Sequence, residues 1–223
     1  LPGSTVTGRV TFEGDVPPAV TAGMELSPLP SEADYVSLAD DPVATAELHD
    51  DWSFEMHGVT GPRRLTLLHA PDGWMLETIY VNGVDAADSP LWFGTKEQSI
   101  SDVEVVLTNR LTEVVGMVTD EYARPFGDAD VIAFPIDRRL WFPTSRFVRR
   151  ADVGRNGTFS LRELPPGDYY LAAVDKRDEI EGITEIGNPD FLVALEGGAA
   201  RLTVAEGLRV SALLRPVTLS SFP

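Results

Sequence analysis

The 223-residue chain has no cysteine. That excludes a disulfide framework, a thiolate zinc site and a thiol nucleophile. It has only three histidines, His49, His57 and His69, each isolated in sequence. Lysine occurs only at Lys96 and Lys176. Positive charge is scarce overall: 18 Lys and Arg stand against 35 Asp and Glu, a net charge of −17. Phosphate recognition needs clustered cations, so the balance opposes nonspecific binding to nucleic acid or to an anionic membrane. No apolar run approaches the ~18 residues of a membrane-spanning helix, so membrane insertion is not expected. No signal peptide is visible, and the chain starts at Leu1. It reads as a processed or excised piece of a longer product, which leaves export open.

The catalytic signatures are missing too. There is no Gly-x-Ser-x-Gly elbow and no glycine-rich phosphate loop. Acidic residues are so numerous that carboxylate pairs arise by chance, and no spacing singles out a glycosidase pair. Asp40-Asp41 and Asp50-Asp51 could offer oxygens to calcium, but neither pair lies in a recognised loop, so both read as solvated loop charge. The histidines read as ordinary surface or half-buried residues. Asn156-Gly157-Thr158 fits a glycosylation sequon, but a turn explains it fully. The expectation is a protein that is not an enzyme and takes no cofactor or metal.

What is present is β structure. Short alternating or β-branched runs are punctuated by Gly, Pro, Asn and Asp. The predicted strands are Val6–Phe12, Arg64–His69, Met75–Val81, Val103–Thr108, Val114–Thr119, Ala129–Phe134, Thr158–Leu161, Asp168–Val174, Ala200–Val204 and Leu208–Arg215. One short helix is predicted, Pro189–Leu195. Many short strands at this spacing indicate sandwiches or barrels.

The chain repeats itself. Val6-Thr7-Gly8-Arg9-Val10-Thr11 returns 108 positions on as Val114-Val115-Gly116-Met117-Val118-Thr119. Ser53-Phe54-Glu55-Met56 returns 105 positions on as Thr158-Phe159-Ser160-Leu161. The boundary is predicted near 109–112, giving domains 1–110 and 111–223. With no Gly/Ser or Pro-rich linker between the halves, a stiff two-domain rod is expected. In the second copy Asn156-Gly157 suits a two-residue hairpin turn with positive φ at both central positions. Pro165-Pro166-Gly167 makes a corner that cannot continue a ladder. Phe159 and Leu161 share one face, as do Tyr169, Leu171 and Ala173.

This pattern resembles the carboxypeptidase regulatory-like family, a transthyretin-like β-sandwich related to the CnaB modules of surface proteins. It is carried by Val115-Gly116-Met117-Val118, the alternating Ala129–Phe134, Gly157-Thr158-Phe159-Ser160-Leu161 and Leu164-Pro165-Pro166-Gly167-Asp168-Tyr169. It covers 111–219 well and 5–110 loosely, where Trp52 replaces the turn glycine and Thr60-Gly61-Pro62 replaces Pro-Pro-Gly. The resemblance implies an all-β fold of two tandem immunoglobulin-like (transthyretin-like) β-sandwich domains, the first degenerate. It also implies an accessory structural or binding role in an exported bacterial protein, placed outside the cell, at its surface or in the periplasm. The zinc-dependent catalytic partner of the family needs His-x-x-Glu. The residues three beyond the histidines are Trp52, Thr60 and Asp72, so that pair is absent. A CnaB-type Lys–Asn crosslink needs a first-strand lysine, and neither Lys96 nor Lys176 is one.

Two surfaces stand out by charge. From 10 to 61 there are no cations and eleven acids: Glu13, Asp15, Glu25, Glu32, Asp34, Asp40, Asp41, Glu47, Asp50, Asp51 and Glu55. From 138 to 155 there are six arginines, Arg138, Arg139, Arg146, Arg149, Arg150 and Arg155, against Asp152 alone. Trp141, Phe142 and Phe147 lie among them, a composition typical of interface hot spots. A solvated loop is the plainer account. The functional expectation is docking of Arg138, Arg139, Trp141, Phe142, Arg146, Arg149 and Arg150 onto a protein partner, including the acidic surface of another copy. Such a heterologous contact makes rings or open filaments, and head-to-tail assembly is the expectation. The rival expectation is a carbohydrate-binding accessory module, with Trp52, Trp74, Trp92 and Trp141 as stacking surfaces; core or interface packing is the plainer account of these tryptophans, and Trp141, among exposed-looking apolar residues, is the most interesting of them.

Overall fold

The computed structural model describes residues 3–14, 16–18, 23–31, 45–94, 98–176 and 186–217. The chain divides into two compact units, Leu1–Arg110 and Leu111–Pro223. Both are β-sandwiches.

The first unit runs β1 (Ser4–Glu13), β2 (Glu25–Pro30), β3 (Glu47–Leu48), β4 (Ser53–Val59), β5 (Gly61–His69), β6 (Met75–Val81), β7 (Val84–Asp85), β8 (Leu91–Phe93) and β9 (Ser99–Thr108). One sheet has the order β3-β4-β1-β9-β6-β7 and the other β2-β5-β8. Their inner faces enclose a core that includes Val6, Val10, Leu26, Phe54, Met56, Leu65, Ile79, Val105 and Leu107. The prolines of β2, Pro28 and Pro30, hide it from a sequence reading. They are tolerated because β2 is an edge strand, where a missing N–H costs no ladder bond.

The second unit runs β10 (Glu113–Val118), β11 (Ala129–Pro135), a 3-10 turn at Arg138–Leu140, β12 (Arg149–Asp152), β13 (Thr158–Arg162), β14 (Gly167–Asp175), α1 (Pro189–Glu196), β15 (Ala200–Val204), β16 (Arg209–Leu214) and β17 (Pro216–Val217). Its sheets are β13-β10-β16 and β12-β11-β14-β15, with β17 added alongside β14. The charged β12 was missed by sequence pattern because its Arg149-Arg150-Ala151-Asp152 carries edge chemistry rather than core chemistry.

The two units share a register. In the first, β1 lies between antiparallel β4 and parallel β9, with Gly8 opposite Phe54 on one side and Val103 on the other. In the second, β10 lies between antiparallel β13 and parallel β16, with Gly116 opposite Phe159 and Ala212. Each glycine faces the core, where a phenylalanine ring fills the space its Cβ would take. A Cβ on Gly8 would collide with Val103 O and sit 2.7 Å from Phe54 Cζ, and one on Gly116 would collide with Ala212 O and sit 2.7 Å from Phe159, so backbone and ring together exclude it.

The turn before each of these phenylalanines is also shared. His49 N donates to Ser53 O and Trp52 N to His49 O; Gly154 N donates to Thr158 O and Gly157 N to Gly154 O. The expected two-residue hairpin at Asn156-Gly157 is corrected on this point. Only Gly157 has positive φ, at 80°. The Asn156 carboxamide oxygen instead accepts from Thr158 N and Oγ1. The turn joins β12 to β13, which belong to different sheets, so the mirror-image geometry of a within-sheet hairpin is not required.

The Pro165-Pro166-Gly167 corner carries the chain from β13 across to β14. Three bonds hold it. The fully buried Tyr169 donates its hydroxyl to Pro165 O at 2.7 Å. Thr112 Oγ1 donates to Leu164 O at 2.6 Å, and Glu163 N to Thr112 O at 3.1 Å. A tyrosine whose hydroxyl returns to backbone a few residues upstream is a recurrent device for turning corners in sandwiches.

β14 is buried on both faces. Tyr169, Leu171 and Ala173 enter the sandwich core with Phe159, Leu161 and Leu164. Tyr170, Ala172 and Val174 face the other way, into a second core with Ile132, Phe134, Trp141, Val148, Phe191, Leu192 and Leu195. This extra layer was not expected from sequence. α1 forms there because Asn188 caps it, its Oδ1 accepting from Asp190 N, and Pro189 presets the first turn.

Candidate functional site

The arginine segment is a lid over that second core. After β11 ends at Pro135, Asp137 caps the 3-10 turn by accepting from Arg139 N at 3.0 Å. The turn delivers Trp141 inward. Trp141 is 6% exposed, donates its indole N–H to Pro135 O at 2.7 Å, and meets Phe134 edge-on at 5.6 Å. The plainer account of Trp141, core packing, is the one the structure shows, and its expected role as a docking or sugar-stacking surface is corrected. The outward face of β11 and β14 is itself apolar, and burying a tryptophan against it is worth more than displaying it. Phe142 is half-buried. Phe147 stacks on Tyr169 at 6.5 Å.

The arginines divide accordingly. Arg138 pairs with Glu196 at the end of α1 and lies over the Trp141 ring, 5.3 Å from its centroid. Arg139 forks onto Asp137, whose carboxyl is held below the usual range by that hydrogen bond first of all. Arg150 reaches Asp130 at 2.6 Å, where Lys176 also contacts Asp130 at 3.3 Å and Asp152 at 2.8 Å. Lys176 holds the Asp152 carboxyl low. Arg146 lies over Phe147. Arg155 is exposed; Arg149 has an exposed surface too, but desolvation lowers its pKa and the Glu163 charge acts against that. Sequence alone counts six free cations here. The fold brings up partners from Glu196, Asp130 and Asp137, at separations that no local pattern reveals.

Among the acids, Asp15, Glu32, Asp34, Asp40 and Asp41 lie outside the described residues. Glu13, Glu47, Asp50 and Asp51 are exposed. Glu55 contacts His57 at 3.1 Å and Glu25 contacts His69 at 3.3 Å. Asp51 is occupied by the turn: Ser53 hydroxyl and amide donate to it and lower its pKa. No group of three or more His, Cys, Asp or Glu side chains suited to a metal occurs among the described residues.

The tryptophans do not form a platform. Trp74 and Trp141 are core residues, and Trp52 is half-buried against Phe12 at 4.7 Å. Trp92, at 71% exposure on edge strand β8, is the one that faces solvent. The residue chosen to carry a carbohydrate site is thus unavailable to a sugar.

One further cluster was not anticipated. On the outer face of β13-β10-β16, Glu113 accepts from Ser160 Oγ at 2.9 Å and pairs with Arg162 at 3.3 Å and Arg209 at 3.2 Å. These donors, the Ser160 hydroxyl foremost, hold its carboxyl below the usual range. The cluster ties the three strands together through Glu113.

No protein-family description and no curated protein matches the chain. Among solved structures, it is similar to the TIE protein of Bacillus anthracis, at 12% identity and TM-score 0.33, over 97% of this chain and 34% of that one. It is similar to a minor pilin of Streptococcus agalactiae at 11% identity and TM-score 0.34, over 98% of each chain. It is also similar to the shaft pilin of Lactobacillus rhamnosus GG at 10% identity and TM-score 0.31, over 99% of each. The chain spans about a third of the length of the first of these. No helix among the described residues is long and apolar enough to cross a membrane.

Proposed function

We propose that the chain is a non-catalytic structural segment of a larger protein displayed outside the cell. It would consist of two tandem carboxypeptidase regulatory-like sandwiches, the first degenerate. The observation that carries the proposal is the shared register: Gly8 against Phe54 and Val103, Gly116 against Phe159 and Ala212. Two copies of one scaffold, with their motif residues consumed by turns, corners and core, suit a load-bearing or spacing role. Fold by itself does not confer chemistry, and the polar clusters described are ion pairs that hold strands together.

The partner in this proposal is protein, including a second copy of the chain. Arg155, and Arg149 once drawn away from Glu163, are the cations that would meet acids such as Glu13, Asp50 and Asp51. Light scattering at low and high salt tests it. Salt-sensitive association that Arg149→Glu with Arg155→Glu abolishes is the expected result. A monomer at every concentration and ionic strength removes self-association from the proposal.

A further inference from the structure

The two units differ at one edge. In the first, β9 pairs with β1 on one side and antiparallel with β6 on the other. Ile79 stands opposite Val105 and Val81 opposite Val103, both buried. In the second, β16 takes the place of β9, with Ala212 corresponding to Val103 and Leu214 to Val105 through their partners Gly116 and Val118. Among the described residues nothing pairs with the far edge of β16.

Among the described residues that edge makes no ladder hydrogen bonds. Glu113 N donates to Leu208 O and Thr119 N to Leu214 O, which fixes the ladder phase. The even-numbered residues of β16 therefore bond to β10, and the amides and carbonyls of Arg209, Ser211 and Leu213 point away from it. Leu213 is 72% exposed and Leu208 56%. Beside the edge lies a cleft of about 480 Å³ lined by Leu171, Ala194, Leu214 and Val217, among others. Arg215, at its rim, is exposed and makes no ion pair among the described residues.

We infer that the β16 edge is a docking site for an extended segment of a separate polypeptide, added antiparallel as β6 is added to β9. The chemistry of that segment is set by the edge. Branched apolar residues stand opposite Ala212 and Leu214, their side chains directed to the cleft, and an acidic residue stands opposite Arg215. Main-chain bonds supply affinity and the alternate side chains supply selectivity. An open apolar edge left bare invites uncontrolled pairing, which gives a reason for a dedicated occupant.

The probe is a synthetic peptide of the Trp74–Asn82 sequence, added to the full chain, with and without Thr78→Glu, the position that comes to face Arg215. Hydrogen exchange should show Ser211 and Leu213 amides fast in the free chain and about tenfold or more slower with peptide. The Glu peptide should bind about tenfold tighter than the Thr peptide, as a charge-assisted bond provides, and Arg215→Ala should erase that difference. Ser211→Pro removes an outward donor without touching the β10 ladder and should abolish binding. Peptide N-methylated on its β16-facing amides should fail equally, which separates edge pairing from a folding defect. Slow exchange at Ser211 and Leu213 in the free monomer overturns the inference, since the edge is then already covered. Protection that appears with protein concentration alone overturns it in favour of a second copy. Binding indifferent to N-methylation overturns it as well.

Discussion

Trp52 and Gly157 occupy the same position of the same turn, and both adopt left-handed backbone, at φ 65° and 80°. Their carbonyls do the same work: Trp52 O accepts from Val10 N and Gly157 O from Val118 N, each at 2.8 Å. Glycine enters this conformation freely, whereas a side chain costs about 1–3 kcal/mol. Trp52 offsets that cost by packing on Phe12. Trp52→Gly is therefore expected to destabilise less than Trp52→Ala, by about 1 kcal/mol, because alanine loses the ring and keeps the strain. Gly157→Ala should destabilise by about 1–3 kcal/mol, since its Cβ would lie 2.7 Å from Val118 O. Urea midpoints at constant m-value check both.

The corner bonds make a second prediction. Tyr169→Phe leaves Pro165 O without its donor, and Thr112→Val does the same to Leu164 O. Each should cost about 1–3 kcal/mol, the penalty for stranding a buried acceptor. Equilibrium unfolding measures it, and a neutral Tyr169→Phe would mean that the corner is held by packing alone.

Trp141→Ala tests whether that side chain is core or contact. As core it should cost about 3–5 kcal/mol of stability. The loss should appear in thermal unfolding of the isolated monomer. A variant of unchanged stability would return Trp141 to the surface.

Acid should unfold the protein through its paired carboxyls. Glu113 is held low by Ser160 and then Arg162 and Arg209, Asp120 by Arg124, Asp137 by Arg139, Asp152 by Lys176 and Asp51 by Ser53. A pKa lower in the folded than in the unfolded state contributes stability that is complete above the unfolded value, about 4, and disappears as pH falls through the folded one. Stability should thus be flat near neutrality and decline below about pH 4.5. Glu113→Gln should make that decline shallower, as read from unfolding midpoints across the acid range.

Much of the fold was legible because it is written in local alternation. Val114, Gly116 and Val118 on one face, the Phe159–Leu161 step and the Pro-Pro-Gly corner are short-range facts, and the structure keeps them. The short helix predicted at Pro189–Leu195 is α1. What failed was exposure. Arg138 to Arg150 look like a free basic patch because Glu196 and Asp130 are remote in sequence, and Trp141 looks displayed because nothing near it reveals the apolar back of β14.

The sequence by itself determined that this is a β protein whose short motifs recur about 105 residues apart, since alternation and turn chemistry depend on neighbours a few residues apart. Only the tertiary structure decided which charges are spent, which tryptophan faces water and, among the described residues, which strand edge has no neighbour. Those are properties of segments brought together across long separations, where burial and pairing are settled by which surfaces meet.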